Sequence, residues 1–431
     1  MKINALLDVN VVAHESEDEV AVLLELEAPP GPADIARPPA SLQIVLDRSG
    51  SMSGAPLEGA KEALVSLVRR LEPSDNFGVV TFDDSAQVVV PAGPLADKEA
   101  AIGLIRGVRA GGTTDLSAGY LRGLRELRRV AGATGGTVLV ISDGHVNAGM
   151  TEAGEFAAVT AKAYADRIVT STLGYGRGYD ETLLSAISRA GSGNHVFADN
   201  PDAAGAAIAG EVEGLLSKVV QALTLTVKFE PAVQFVRLYN DFPTTQLSDG
   251  AVMVELGDLY GEESRKILVK FKVPAMAALG LAKIATLELV YVELPGLLEH
   301  TVALPISVNV VPGDEAAGRV AHPTVQSEVL FQEAQAVKRQ ASEAFERGEF
   351  TEGQRLMSDT KARLAASLAV APDALKDEIR AEISEVDAMD RTSYDVGLAG
   401  SPLMSKLSRE SYHLSNRKRG RTRQPKEEGE D

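Results

Sequence analysis

The chain reads as a doubly wound α/β domain with a mainly parallel sheet, inserted into an antiparallel β-sandwich and followed by a C-terminal helical module. Three observations carry that expectation. Between residues 41 and 220, apolar runs of strand length alternate with helical segments; after 220 the apolar period drops to two, with no helix between the runs; and past Pro312 the pattern turns helical. At 431 residues and 45% hydrophobic content, there is material for two or three packed domains.

Residues 1–28 hold two β-rich runs, at 4–13 and 19–27, the second alternating Val20, Val22, Leu24 and Leu26. Two such strands cannot form a domain. Pro29, Pro30, Pro32, Pro38 and Pro39 make a stiff connector, since proline fixes φ and removes backbone donors. Within 41–220 the strand-length runs fall at 42–46, 77–82, 137–141, 168–173 and 195–197, and helices are expected at 56–71, 116–130, 155–165, 181–189 and 203–219. Runs apolar on both faces suit a parallel sheet covered by helices. Residues 87–90 follow the preceding run too closely for a crossover helix, which predicts an antiparallel edge strand.

Strands at 223–229, 233–239, 252–256, 266–273, 285–292 and 301–311 come at short spacing, as in a β-sandwich. Its edges need partners and the N-terminal pair needs a sheet, so 1–40 and 221–312 are expected to form one discontinuous sandwich around the domain at 41–220. In the module at 313–395, helices are expected at 325–347, 351–367 and 374–390. The turn Arg347-Gly348-Glu349-Phe350 between the first two is similar to a tetratricopeptide-type hairpin, with only one such unit visible. Residues 396–431 read as a disordered charged tail, in which Arg417, Lys418, Arg419, Arg421 and Arg423 precede Glu427, Glu428, Glu430 and Asp431.

Charge and composition remove several function classes. With 43 Lys plus Arg against 61 Asp plus Glu, the net charge is −18, which repels phosphate backbones and anionic membranes. The absence of cysteine excludes disulfides, zinc-thiolate sites, iron–sulfur clusters and thiol nucleophiles. Asp8 and Asn10 interrupt the N-terminus before a signal-length apolar run forms, and no stretch reaches membrane-span length; a cytoplasmic location is expected. The six histidines show no paired metal spacing, no Gly-Lys dipeptide supports a phosphate loop, and no G-x-S-x-G elbow occurs. Gly174, Gly176 and Gly178 have the wrong spacing for a dinucleotide fingerprint.

The segment that carries chemistry is Asp47-Arg48-Ser49-Gly50-Ser51, directly after the first buried run. A bare D-x-S-x-S arises by chance in about one chain in ten of this length, so its context decides. Gly112 and Thr113 precede a helix, and Asp143 with Gly144 ends another buried run. In an open α/β sheet, the carboxyl ends of strands form the ligand crevice, where these separate loops can converge. Two carboxylates and three hydroxyls are an all-oxygen set suited to Mg²⁺ or Mn²⁺. Gly50 is expected to let the first loop fold tightly. With only Asp47 and Asp143 charged, the ion stays electrophilic, and an Asp or Glu carboxylate from a protein partner is the natural remaining ligand.

On these residues the segment 41–220 resembles a von Willebrand factor A domain of the bacterial type with a metal-ion-dependent adhesion site. The resemblance implies that Asp47, Ser49, Ser51, Thr113 and Asp143 hold the ion in direct or water-mediated contact, with Thr114 as the neighbour that could replace Thr113. The stretch 172–197 is also similar to bacterial members. A further implication is coupling between the loops and the helix at 203–219.

Several residues have plainer readings. Asp115 suits an N-cap for the helix that follows, and Arg48 and His145 suit solvated loop positions. Ser51 or Ser53 as a nucleophile would need a general base that the nearby sequence does not offer. The resulting expectation is a non-enzymatic, divalent-cation-dependent protein-interaction scaffold. Two rivals are an accessory subunit of a metal-inserting or remodelling ATPase and a hydrolase that activates water on the ion.

Overall fold

Asp8 divides the first β-rich run in two. In the computed structural model, which describes residues 1–31, 38–143, 146–176, 179–198, 200–416 and 419–420, the strand expected at 4–13 is β1 (Lys2–Leu7) and β2 (Val11–Ala13). The Asp8 carboxylate accepts the N–H groups of Val9 at 2.7 Å and Ala21 at 2.9 Å, which ends β1 and turns the chain. β3 (Asp18–Glu27) then returns antiparallel to β1. Pro32, Gly144, His145 and Gly178 lie outside the described residues.

The α/β domain comprises β4 (Ser41–Asp47), α1 (Ala55–Arg70), β5 (Asn76–Phe82), β6 (Ala86–Pro94), α2 (Lys98–Arg106), α3 (Leu116–Arg128), β7 (Gly136–Ser142), α4 (Ala153–Ala165), β8 (Ile168–Tyr175), α5 (Glu181–Ala190), β9 (Ser192–Ala198) and α6 (Pro201–Leu216). Its sheet runs β6-β5-β4-β7-β8-β9, and only β6 is antiparallel to its neighbour. The antiparallel edge expected at 87–90 is β6. Ile44 and Leu46 join Leu64, Val68, Ile102 and Ile208 on one face, while Val45 joins Tyr120, Leu124, Phe156 and Ile187 on the other. That division explains the unbroken apolar runs: both faces of β4 and β7 are covered.

The second β region contains β10 (Lys218–Phe229), β11 (Gln234–Leu238), β12 (Thr244–Gln246), β13 (Val252–Tyr260), β14 (Ser264–Val273), β15 (Gly280–Glu293) and β16 (Leu298–Val311). One sheet runs β1-β3-β14-β11; the other runs β12-β13-β10-β15-β16-β2. All ten residues of β3 pair with β14, and β2 adds in parallel to the end of β16. Val20, Val22 and Leu24 of one sheet and Leu225, Leu287 and Val308 of the other share one buried cluster.

The helices are α7 (Gly313–Ala317), α8 (Pro323–Glu346), α9 (Phe350–Val370), α10 (Asp373–Val396) and α11 (Ser401–Asn416). Helix α11 corrects the expectation of disorder from 396 onward. Its Leu403 packs into the α/β core and its Met404 into the helical core. Beyond it, Arg419–Gly420 pairs with Ser264 and Arg265, and residues 417–418 and 421–431, with the rest of the basic cluster and the acidic end, lie outside the described residues. Among the described residues, no helix is long and apolar enough to cross a membrane.

Candidate functional site

Asp47 is the last residue of β4 and is fully buried at the carboxyl edge of the sheet. Its two oxygens have separate tasks. Oδ1 accepts the Ser49 backbone N–H at 2.8 Å, closing the loop, and Oδ2 accepts the hydroxyl of Ser142, the last residue of β7, at 2.6 Å. The Ser49 and Ser51 hydroxyls lie 3.1 Å apart, and Ser51 Oγ donates to Asp143 Oδ1 at 2.9 Å. Asp47, Ser49, Ser51 and Asp143 are therefore linked in series across the ends of β4 and β7, first through the Ser49 backbone N–H and then from hydroxyl to hydroxyl to carboxylate.

The threonine loop is tied to this cluster through its backbone. Gly50 N–H donates to Gly112 O at 3.2 Å, and Gly111 N–H donates to Arg48 O at 2.8 Å. Gly112 has φ +73°, and a Cβ there would meet the Asp83 side chain at 2.7 Å, so glycine is required at this position. Gly50, by contrast, has ordinary room: a Cβ would sit 3.7 Å from Gly112 O. The glycine that shapes this site is Gly112, not Gly50. Thr113 is exposed beside the first loop, whereas Thr114 is buried and exchanges backbone bonds with Asn147, donating to its Oδ1 at 3.0 Å. Of the two, only Thr113 is exposed.

Asp115 caps α3, accepting the Ala118 N–H at 2.9 Å, as its plain reading predicts. Arg48 does not point idly into solvent. Its guanidinium pairs with Asp83 at 2.8 Å, and Asp83 O accepts the Asp115 N–H, so this pair staples the first loop to the threonine loop. Asp83, Ser142 and Asn147 went unread in the sequence, although Asp83 follows a buried strand at the ligand edge. The expectation that Ser51 lacks a neighbouring base also fails, because folding brings Asp143 to it.

The electrostatics favour a cation. Burial pushes the Asp47 carboxyl above its ordinary range, against the bonds it accepts from Ser142 and Ser49. Burial likewise pushes Asp143 up to about 6, with the negative charge of Asp47 adding to the effect. Two acids held reluctantly ionised beside serine hydroxyls are what a hard divalent cation would relieve. Among the described residues, no group of three or more His, Asp or Glu is arranged to hold a metal, so a cation site must recruit hydroxyls. The donor set is all oxygen, which suits a hard divalent cation.

Known proteins share this framework. Residues 42–207 match the family model of the von Willebrand factor type A domain. A solved von Willebrand factor type A protein from Catenulispora acidiphila has a TM-score of 0.71 over 97% of each chain at 17% identity, which establishes a common fold. An uncharacterized protein of Synechocystis sp. is 30% identical over 168 residues, 39% of this chain and 40% of its own length. The inter-alpha-trypsin inhibitor heavy chain H1 of Mesocricetus auratus is 26% identical over 238 residues, 52% of this chain and 25% of that protein. The chain spans less than half the length of these two curated relatives.

Proposed function

We propose that this chain, which carries a von Willebrand factor type A domain at residues 42–207, is a non-enzymatic protein-interaction scaffold. In this reading, Asp47, Ser49, Ser51, Thr113 and Asp143 hold Mg²⁺ or Mn²⁺, and an Asp or Glu side chain of the partner protein completes the shell. The observation that carries it is the series of hydrogen bonds that draws Asp47, Ser49, Ser51 and Asp143 together at the carboxyl edge. Two carboxylates only match the charge of a divalent ion, and five donor oxygens leave one position of an octahedral shell for an outside carboxylate.

Ser51 and Asp143 could also be read as a nucleophile and base. Ser51 and Asp143 make one hydroxyl–carboxylate pair, and a cation would use both of their oxygens at once. We place the protein in the cytoplasm on the composition argument.

Calorimetric titration tests the assignment. Mn²⁺ should bind the parent with one site per chain, and Asp47→Ala should abolish binding while leaving the circular-dichroism spectrum unchanged. Equal binding by both proteins would reject the site. Metal-dependent turnover of a phosphoester or peptide, lost in Asp143→Asn, would instead favour the hydrolase, and a co-purifying ATPase the accessory-subunit reading.

A further inference from the structure

We propose that helix α11 is a positioning part of the metal-facing edge: docked on the A domain, it sets the carboxyl ends of β7, β8 and β9 behind Asp47 and Asp143, and its docking and cation binding strengthen each other. The proposal rests on the metal-binding reading above.

One row of residues crosses the sheet from the site to this helix. Asp47 accepts from Ser142 on β7; Ser142 is in register with Gly174 on β8; Gly174 is in register with Phe197 on β9. β9 is the edge strand of this sheet, and its Phe197 N–H donates to Glu410 of α11 at 3.3 Å. The helix therefore covers the edge and ends the row that begins at the candidate ligand.

A second layer stiffens the row from above. The Tyr179 ring lies against Gly174, where a Cβ would meet it at 2.3 Å, and stacks on Phe197 with centroids 5.9 Å apart. Tyr179 and His195 are joined through the tyrosine hydroxyl and Nε2 at 3.1 Å, and Nδ1 lies 2.8 Å from the Thr172 hydroxyl, which itself donates to Leu184 O at 3.0 Å. Because the threonine proton is committed to Leu184, His195 Nδ1 must donate and Nε2 must accept from Tyr179, which defines a single tautomer. Lys406 of α11 locks this stack, donating to Tyr179 O at 3.0 Å with its ammonium 3.8 Å above the ring.

The helix is held by groups that water could also satisfy. Arg409 pairs with Glu181 of the A domain at 3.2 Å and with Glu346 of α8 at 2.6 Å, and Lys406 lies 3.8 Å from Glu181. Of the buried serines of α11, Ser405 faces Glu181 of the α/β domain, while Ser408 and Ser411 meet Met357 and Lys338 of the helical module. Apart from Leu403 and Leu407, the contact with the α/β domain is made by charged and polar groups, as in a transient interface, so it can release while Met404 keeps α11 packed in the helical core. A ligand that favours the ordered edge then favours the docked helix, and thermodynamic linkage makes the effect reciprocal.

Two measurements on the full chain test this. In the parent, saturating Mn²⁺ should slow amide hydrogen exchange across residues 401–416 and β9, a readout that needs no mutation. In Lys406→Glu with Arg409→Glu, which turns both cations against Glu181 and Glu346, exchange at 401–416 should accelerate and the Mn²⁺ dissociation constant should rise about fivefold or more. The thermal transition of the sheets should remain. Faster exchange with unchanged Mn²⁺ affinity would reduce α11 to a passive brace and overturn the proposal, as would unchanged exchange in the charge-reversed variant or in the Mn²⁺-saturated parent. If the parent itself binds no Mn²⁺, the metal reading fails, an outcome distinct from binding that ignores the helix.

Discussion

Asp47 and Glu382 are both buried carboxylates, and their surroundings answer them in opposite ways. Glu382, on α10, faces the fully buried ammonium of Lys338, with Gln335 and Ser415 donating to it as well. Burial pushes its pKa up, but these partners together hold it below the ordinary range. Asp47 receives only hydroxyls and an amide, and burial wins. A carboxylate matched by an internal cation is architecture. One matched only by neutral donors, at the open end of a parallel sheet, is poised to receive a cation from outside.

The sharpest way to break that contrast is at the matched pair. Lys338→Ala should leave Glu382 buried without its countercharge and lower stability by about 3–5 kcal/mol in denaturant titration. Lys338→Met with Glu382→Leu should recover most of that loss, since the penalty belongs to the orphaned charge. A small loss from Lys338→Ala would show that the helical module accommodates the charge by opening.

Gly112→Ala is expected next in size. A forced left-handed alanine pressed on Asp83 should cost about 1–3 kcal/mol and weaken Mn²⁺ binding by displacing the threonine loop. Alanine at Gly50, with ordinary room, is the control, and the same loss there would put the constraint in the wrong loop.

Asp143→Asn should have the reverse sign. Folded Asp143 holds its proton up to about 6, against an ordinary value of 3.8, so its stability contribution is present below pH 3.8 and is lost as pH rises through 6. In chelator, the melting temperature of the parent should therefore fall relative to Asp143→Asn between those values. With Mn²⁺ present, the parent should overtake the variant, and Mn²⁺ affinity should rise over the same interval. Parallel pH profiles in chelator would remove Asp143 from the set of strained acids. At the small end, Arg355→Ala, which deletes an exposed pair with Glu352, should leave the melting temperature unmoved.

What could be read from the sequence follows from how local each cause is. The alternation of buried runs and helices sufficed for the parallel sheet, because both faces of Ile44-Val45-Leu46 demand apolar residues whatever the neighbours are. The Asp115 cap was legible for the same reason. Ser142 and Asp83 were not, since each acts across strands that meet only in the fold. Helix α11 was hidden differently. Leu403, Met404 and Leu407 have helical spacing, but judged with the charged residues after 416 they vanish into an average typical of disorder. Asp8 was passed over as an interruption, when its two amide bonds make it the corner between two sheets.

The ten-residue pairing of β3 with β14 has a consequence in time. During synthesis β3 emerges early, yet its partner follows only after the whole A domain has been translated. At 5–20 residues per second, the hydrophobic β3 waits roughly ten seconds or more beside a ribosome. The A domain, with its near-neighbour parallel strands, can close during that interval and bring the two broken ends of the other core together. In that interval Glu17, Asp18 and Glu19 set negative charge just ahead of the apolar stretch, and in the finished fold the same three pair with Lys272, Arg319 and Lys270.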